Sequence, residues 1–260
     1  VMPDAEMAMA GLRKVVEFQD MAYCSEYLAR LERLILQDRA PFEFSRQAMK
    51  YVANAMAYDD VIRVADLKTR AGRAERIAAE MGASAANVVQ LTEFLHPRAE
   101  EIVGLLPARL GGKLEASPKW MGRIDRWFNK GRRMRTDSLR AFGALYILGG
   151  LKKRRLGSLR HAQEVAHLER WLARALHYLP LNYDLAVEVI RCRRLIKGYS
   201  DTHARGLSKF DKVLAGVEMV ANRADGADWT RRLREAALQD EEGKALEGAL
   251  ATIRSFASEQ

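Results

Sequence analysis

The sequence predicts a mainly α, multi-helix globular domain with at most a short strand or two. Three observations carry this expectation. Apolar residues recur at spacings of three and four through most of the chain, which marks helices with one buried face. The strand-helix alternation that builds a doubly wound sheet is missing. Only one stretch, Asn87 to Leu95, is dense in β-branched and aromatic residues, with Val88, Val89, Thr92 and Phe94 before the breaker Pro97.

The elements follow in order. Leu12, Val15, Val16, Tyr23, Tyr27, Leu28, Leu31, Leu34 and Ile35 lie on one stripe, predicting a single long helix ended by Pro41. Ser45 is the expected N-cap of a second helix, running through Met56–Arg70 to Met81 and ended by Gly82. After the short strand, Pro97, Pro107, Gly111, Gly112 and Pro118 leave room for one short helix around Arg98–Leu106 and make 97–118 the candidate internal boundary. Trp120–Lys130 reads as helix and Gly131–Ser138 as extended or looped. A buried segment is expected from Leu145–Leu148, running into Lys152-Lys153-Arg154-Arg155. Val165, Leu168, Leu172, Ala175, Leu176 and Leu179 define the next helix, and Leu185, Val189, Cys192 and Ile196 another, with Pro180 and Gly198 as punctuation. Leu207–Val220 and Trp229–Phe256 complete the set, broken at Gly226 and Gly243. The expected organisation is a helical domain over 1–225 followed by a C-terminal helical extension over 226–260.

At 260 residues the chain can bury roughly 75% of its unfolded surface, and 48% hydrophobic with 30% charged residues is an ordinary globular balance. The longest nearly apolar run, Ala141–Leu151, is about half the roughly 20 residues a membrane-crossing helix needs. No membrane partner is expected. The N-terminus lacks a secretory pattern and the chain has two cysteines, so a reduced cytoplasmic setting is expected. Because Val1 is not an initiator methionine, a fragment or processed product is expected. The net charge is +9, concentrated in one place: Trp120–Arg160 holds twelve Lys and Arg against Asp125 and Asp137, a local excess of +10. Such a segment calls for an anionic partner.

Several chemistries find no foothold. Cys24 and Cys192 are too far apart to hold an Fe–S cluster by themselves. GLLPARLGGKL has the wrong glycine spacing for a phosphate loop, with Leu114 where a hydroxyl should follow Lys113. His161 and His167, six apart, point to different sides of a helix and make no zinc site. Neither a Gly-x-Ser-x-Gly elbow nor a His-Glu-x-x-His pair occurs. No metal site, cofactor or catalytic residue is expected in this chain.

Two polar stretches stand out. The first, Arg193–Lys212, turns at Gly198 and gathers Lys197, Asp201, Thr202, His203, Arg205 and Lys209 near a helix start. The first five of that group are the candidate anion or inter-domain contact, because helix-start amides and cations suit a carboxylate or phosphate. The alternative is a capped surface turn with solvated cations. The second, Ala55–Arg73, sets Tyr58, Ile62, Ala65 and Thr69 on one helical face and the secondary cluster Asp59, Arg63, Asp66 and Lys68 on another. There it forms surface ion pairs or, if buried, a costlier contact.

Three segments, AYDDVIRVADLKTR (Ala57–Arg70), LERWLARAL (Leu168–Leu176) and LNYDLAVEVIRCRRLIKGYSDTHARG (Leu181–Gly206), resemble the C-terminal region of indolepyruvate oxidoreductase beta-subunit-like proteins. The resemblance runs in order from about Val16 to Val220. Ser200 stands where a KGYGDTH-like motif has glycine. The resemblance implies a helical domain beside a catalytic-type domain, in a complex that oxidatively decarboxylates aryl-2-oxoacids to acyl-CoA. It also implies thiamine diphosphate, coenzyme A, Fe–S clusters and ferredoxin for that complex, none of them held by residues of this chain.

The leading expectation is therefore an accessory or interaction domain, not catalytic alone, that meets catalytic domains or other subunits. Arg132–Arg135 and Lys152–Arg155 would face ferredoxin or another acidic partner. The alternative is a basic nucleic-acid-binding module, in which Trp120, Trp127 and Phe128 stack bases and Arg123, Arg126 and Lys130 neutralise phosphates. Trp120, Ile124, Trp127 and Phe128 also have helix-core spacing, and core packing is the expectation there. A third reading, an enzyme using His203 as general base, lacks a matched acid and pocket.

Overall fold

The structure is a computed structural model and describes residues 4–83, 90–95, 97–129, 131–136, 138–239 and 242–257. In chain order it contains α1 (Ala5–Phe18), α2 (Met21–Ile35), α3 (Glu43–Met56), α4 (Val61–Thr69), α5 (Gly72–Glu80), β1 (Thr92–Leu95), α6 (Ala99–Gly104), α7 (Ala108–Glu115), α8 (Pro118–Phe128), β2 (Arg132–Arg135), α9 (Leu139–Gly149), α10 (Leu159–Tyr178), α11 (Tyr183–Arg191), α12 (Asp201–Val220), α13 (Gly226–Gln239) and α14 (Lys244–Ala257). Two 3-10 segments, Gly150–Gly157 and Cys192–Leu195, precede α10 and follow α11. The mainly α class is thus observed, with one two-stranded antiparallel sheet, Thr92 opposite Arg135, among the described residues.

Residues Val1–Tyr58 with Glu164–Gln260 form one compact unit and Asp59–Gln163 a second. The proline- and glycine-rich stretch 97–118 lies inside the second unit, and α13 and α14 lie in the first.

In the first unit the apolar stripes meet in one core, with Phe18, Tyr27, Leu31, Leu34, Phe44, Met49, Trp171, Leu172 and Phe210 almost fully buried. Buried polar tips are satisfied: the Trp171 Nε1–H donates to the Val189 carbonyl at 2.9 Å and the Tyr27 hydroxyl to that of Met49 at 2.7 Å. The single long helix expected over Leu12–Ile35 is two. Gln19 leaves helical geometry, and Asp20 caps α2 by accepting from the Tyr23 N–H at 2.8 Å. The stripe runs through the break because both helices face the same core. Ser45 is not a cap. It is buried inside α3, whose N-cap position is Phe42, and its N–H and hydroxyl donate to Asp38 at 2.8 and 2.5 Å.

The helix expected from Ser45 to Met81 is three helices. Ala57 breaks away after α3, Asp60 caps α4, and Arg70 turns to extended geometry before α5. Gly82 ends α5 in the left-handed region, as expected (φ 62°). Tyr58 precedes α4 and packs edge-on against Phe18 in the first unit's core, so it does not share a helical face with Ile62 and Ala65.

The second unit is built around α4 and α9. Ile62 and Ala65 pack towards Ala141 and Leu145, and a side chain at Gly149 would meet the Asp66 backbone at 3.1 Å. The segment expected to be buried over Leu145–Leu148 is buried only at Leu145; Tyr146 and Ile147 are exposed on the other side of α9. One short helix was expected before Pro118, yet α6 and α7 both form. Gly111 lies within α7, where a Cβ would meet Leu159 at 2.8 Å, so this glycine serves close packing.

Asp60 and Arg155 tie this unit together. Asp60 accepts from the Arg63 N–H at 2.6 Å to cap α4, and the Arg155 Nε donates to the same carboxylate at 2.8 Å. Arg155 is 1% exposed, so its charge depends on this partner. Truncating one member of such a pair strands the other. Asp60→Ala is expected to lower stability by about 3 kcal/mol in urea unfolding, and Asp60→Ala combined with Arg155→Met to recover most of that loss. A cost below about 1 kcal/mol for the single variant would show the pair to be dispensable.

Candidate functional site

The predicted polar turn lies between the 3-10 segment Cys192–Leu195 and α12. Gly198 takes φ 70°, Ser200 takes φ 56° with ψ −128°, and α12 starts at Asp201. Gly206 sets α12 directly against the chain before the turn, since a Cβ there would meet the Leu195 carbonyl at 2.6 Å. Lys197, Asp201, Thr202 and Arg205 are exposed around it. His203 is buried below, its Nε2 3.3 Å from Glu164 Oε1, and Glu164 Oε2 is 4.0 Å from Arg193 Nη2. Arg193 Nη1 donates to the Ile196 carbonyl at 3.2 Å, so the trio is anchored to the turn's own backbone. The Lys209 ammonium donates to the Ala237 carbonyl at 3.0 Å, so it is committed to α13.

A buried guanidinium, carboxylate and imidazole together make a neutralised polar floor that holds the turn's shape. Glu164, 39 residues before His203, escaped the sequence reading because only the packing brings it near. His167, one turn on from Glu164 along α10, packs at a tilt against Phe210, ring centroids 5.0 Å apart. Burial, with Arg193 and Arg170 nearby, pushes its imidazole down to about 4.

The secondary cluster divides. Asp59 pairs with Arg63 at 3.5 Å, and Asp66 with Arg70 at 2.7 Å, both on α4 and its approach. Lys68 instead pairs with Glu93 of β1, which Arg73 also reaches at 2.6 Å. Those two cations hold the Glu93 carboxyl below the usual range against the upward pull of burial. This cluster fastens α4 and the chain after it to the small sheet.

The Lys152–Arg155 run is likewise divided: Lys153 and Arg154 are exposed, whereas Arg155 is the buried partner of Asp60. The expectation that Trp120, Ile124, Trp127 and Phe128 form core is overturned. No residue of α8 is buried, and Trp120, Trp127 and Phe128 are 46%, 66% and 38% exposed. The helical spacing is as expected and α8 rests on α6 and α7 with Met121 and Ile124 half-buried, but its aromatic rings stay exposed. The Arg123 guanidinium lies 5.1 Å from the Trp120 ring centroid, and Lys119 and Arg126 are exposed beside it. On α9, Leu139, Phe142, Tyr146 and Ile147 are exposed, with the Phe142 and Tyr146 rings stacked at 6.2 Å.

Both cysteines are buried and unpaired with each other, and burial pushes the Cys192 thiol up to about 12, far from the reactive range. Among the described residues no group of His, Cys, Asp and Glu is arranged to hold a metal, and no helix is long and apolar enough to cross a membrane.

A family model described as a family of unknown function (DUF6537) matches residues 5–216, and the chain belongs to that family. The match covers both units and stops within α12. No curated protein and no solved structure matches the chain.

Two outcomes follow from the turn and its floor. Ser200 occupies a backbone conformation suited to glycine, so Ser200→Gly is expected to raise stability by about 1 kcal/mol in urea unfolding, and an unchanged or lower midpoint would refute the strain. His167 binds its proton near pH 4 when folded, against 6.5 for an unperturbed histidine. Between those values the unfolded chain holds more protons, so stability falls as pH drops from 6.5 towards 4. His167→Gln should flatten that slope in denaturation series run at pH 7, 5.5 and 4.5; parallel slopes would exclude it.

Proposed function

We propose that this member of the DUF6537 family is a helical accessory domain of an indolepyruvate-type 2-oxoacid:ferredoxin oxidoreductase subunit, not catalytic alone, which docks on acidic surfaces of the catalytic domains. The observation that carries the docking reading is the set of exposed aromatic rings on α8, Trp120, Trp127 and Phe128, interleaved with exposed cations. Exposed aromatic rings beside guanidinium groups are the composition of an interface centre. The polar groups elsewhere are largely committed to one another, as in Asp60–Arg155 and Glu164–His203. The three segments resembling indolepyruvate oxidoreductase beta-subunit-like proteins support the parent assignment.

In that reading thiamine diphosphate, coenzyme A and the Fe–S clusters reside on other domains of a cytoplasmic complex that converts aryl-2-oxoacids to acyl-CoA. The excess of +10 over Trp120–Arg160 steers the face towards an acidic surface, whether of a catalytic domain, a neighbouring subunit or ferredoxin. The exposed turn residues Lys197, Asp201, Thr202 and Arg205 are a second contact in the same reading.

One observation favours another class: Arg123 stacked over an exposed Trp120, with Trp127 and Phe128 following, is also a platform for single-stranded nucleic acid. The two readings part on one experiment. The chain is mixed with separately purified catalytic domains of the oxidoreductase from the same organism, and with a 20-nucleotide single strand, both followed by fluorescence anisotropy. Docking predicts binding to the catalytic domains that Trp127→Ser weakens by about 2 kcal/mol, roughly thirtyfold. Arg126→Glu slows association, more so at low salt. Oligonucleotide binding that collapses with salt, without association to the catalytic domains, replaces the accessory-domain reading by the nucleic-acid one.

A further inference from the structure

A cleft between α10 and α12 of the first unit has no part in the docking reading. Its volume is about 110 Å³, room for three or four waters or for one oxyanion head group. The α10 side contributes His167, Arg170, Trp171 and Arg174, a spacing of three, four and seven that sets them on one stripe. The α12 side contributes Phe210 and Asp211. Trp171 and Phe210 are each 1% exposed and form an apolar floor, the indole N–H being committed to the Val189 carbonyl. His167 is neutral at pH 7 and adds no charge.

The mouth sets two arginines against two carboxylates, Asp211 and Glu218, and these charges are only loosely paired. Arg170 is exposed, and its guanidinium makes no ion pair with any described acidic group. Arg174 bridges to Glu218 at 2.8 Å, but both side chains are well exposed at 36% and 57%, and such a pair separates at little cost. Asp211 lies within the cleft near both arginines; burial nevertheless raises its carboxyl above the usual range. An apolar floor lowers the local dielectric constant and so strengthens any charge interaction made against it.

We infer that this cleft is an oxyanion-binding site, in which Arg170 and Arg174 grip a carboxylate or phosphate group against Trp171 and Phe210. Asp211 forms no ion pair with either arginine, but as a nearby carboxylate it competes with such a ligand for their charge. Guanidinium groups are suited to this because their planar fork meets two oxygens at once. The site takes a small free oxyanion or the terminal group of a longer molecule, since its volume admits little more than the head.

The test uses the whole chain at pH 7 and constant ionic strength set with chloride. Acetate and inorganic phosphate are titrated separately while the arginine side-chain Nε–H resonances are followed by NMR. The expected result is a saturable shift at Arg170 and Arg174, weakened about tenfold in Arg170→Gln. Arg232→Gln, on α13, should leave it unchanged. Asp211→Asn, which removes the competitor, should bind severalfold more tightly; a purely structural Asp211 would not move the affinity in that direction. Saturation by acetate alone assigns a carboxylate, by phosphate alone a phosphate group, and by both the shared chemistry. A shift that chloride reproduces, that never saturates, or that survives Arg170→Gln in a normally folded variant overturns the inference. The docking reading is untouched by either result, because its residues lie on α8 and at the turn before and start of α12, outside the cleft.

Discussion

The carboxylate of Asp60 is the constraint on which the second unit depends. It closes the first turn of α4 and neutralises Arg155, 95 residues further on, in a place where water cannot do so. Residues near the two ends of Asp59–Gln163 are thereby held to one point, and the helices between them pack within a closed stretch of chain. Local geometry and long-range topology are fixed by the same two oxygens. Capping alone would accept Asn or Ser, but neutralising a buried guanidinium needs the carboxylate, so the two roles together select Asp60.

The first unit solves a similar problem with more participants. Glu188 of α11 accepts from Arg191 at 2.7 Å and from Arg234 of α13 at 2.8 Å, while Arg191 also reaches Glu43 of α3 at 2.6 Å. Helices from both stretches of this unit therefore meet in one charge network at the edge of the core. With the Glu164–His203 floor, this leaves much of the buried charge in the first unit matched. The groups left facing outward, on α8, on α9 and at the α10–α12 cleft, are then the ones available to other molecules.

Much of this was legible in the residues and some was not. Apolar spacing located the helices from Leu168 to Phe256, with Gly226 and Gly243 at the breaks, because those stripes are buried as their period implies. The stripe through Leu185 and Val189 runs past its helix, since α11 ends at Arg191 and Cys192 and Ile196 are buried in a 3-10 segment and an extended turn. The same period merged α1 with α2 and α3 with α4 and α5, since a cap by Asp20 or Asp60 interrupts the backbone without interrupting the apolar face. Around α8 the period was right and the inference from it wrong: a stripe of Trp and Phe says that something covers it, and the chain's own core is only one option. His203 and Arg193 were visible in one polar stretch, but their partner Glu164 and the Asp60–Arg155 pair are products of packing. The match of residues 5–216 to a family of unknown function leaves the parent assignment to the resembling segments and their test.

The discontinuity of the first unit has a consequence in time. Its early helices, α1 to α3, leave the ribosome before the 105 residues Asp59–Gln163, and their core partners on α10 to α14 come after. At typical rates of roughly 5–20 residues per second, the face of α3 that packs on α11 waits on the order of 5–20 seconds for cover. The second unit emerges whole within that interval. Synthesis therefore completes the inner segment first and leaves the nascent N-terminal helices as a natural client of holding chaperones.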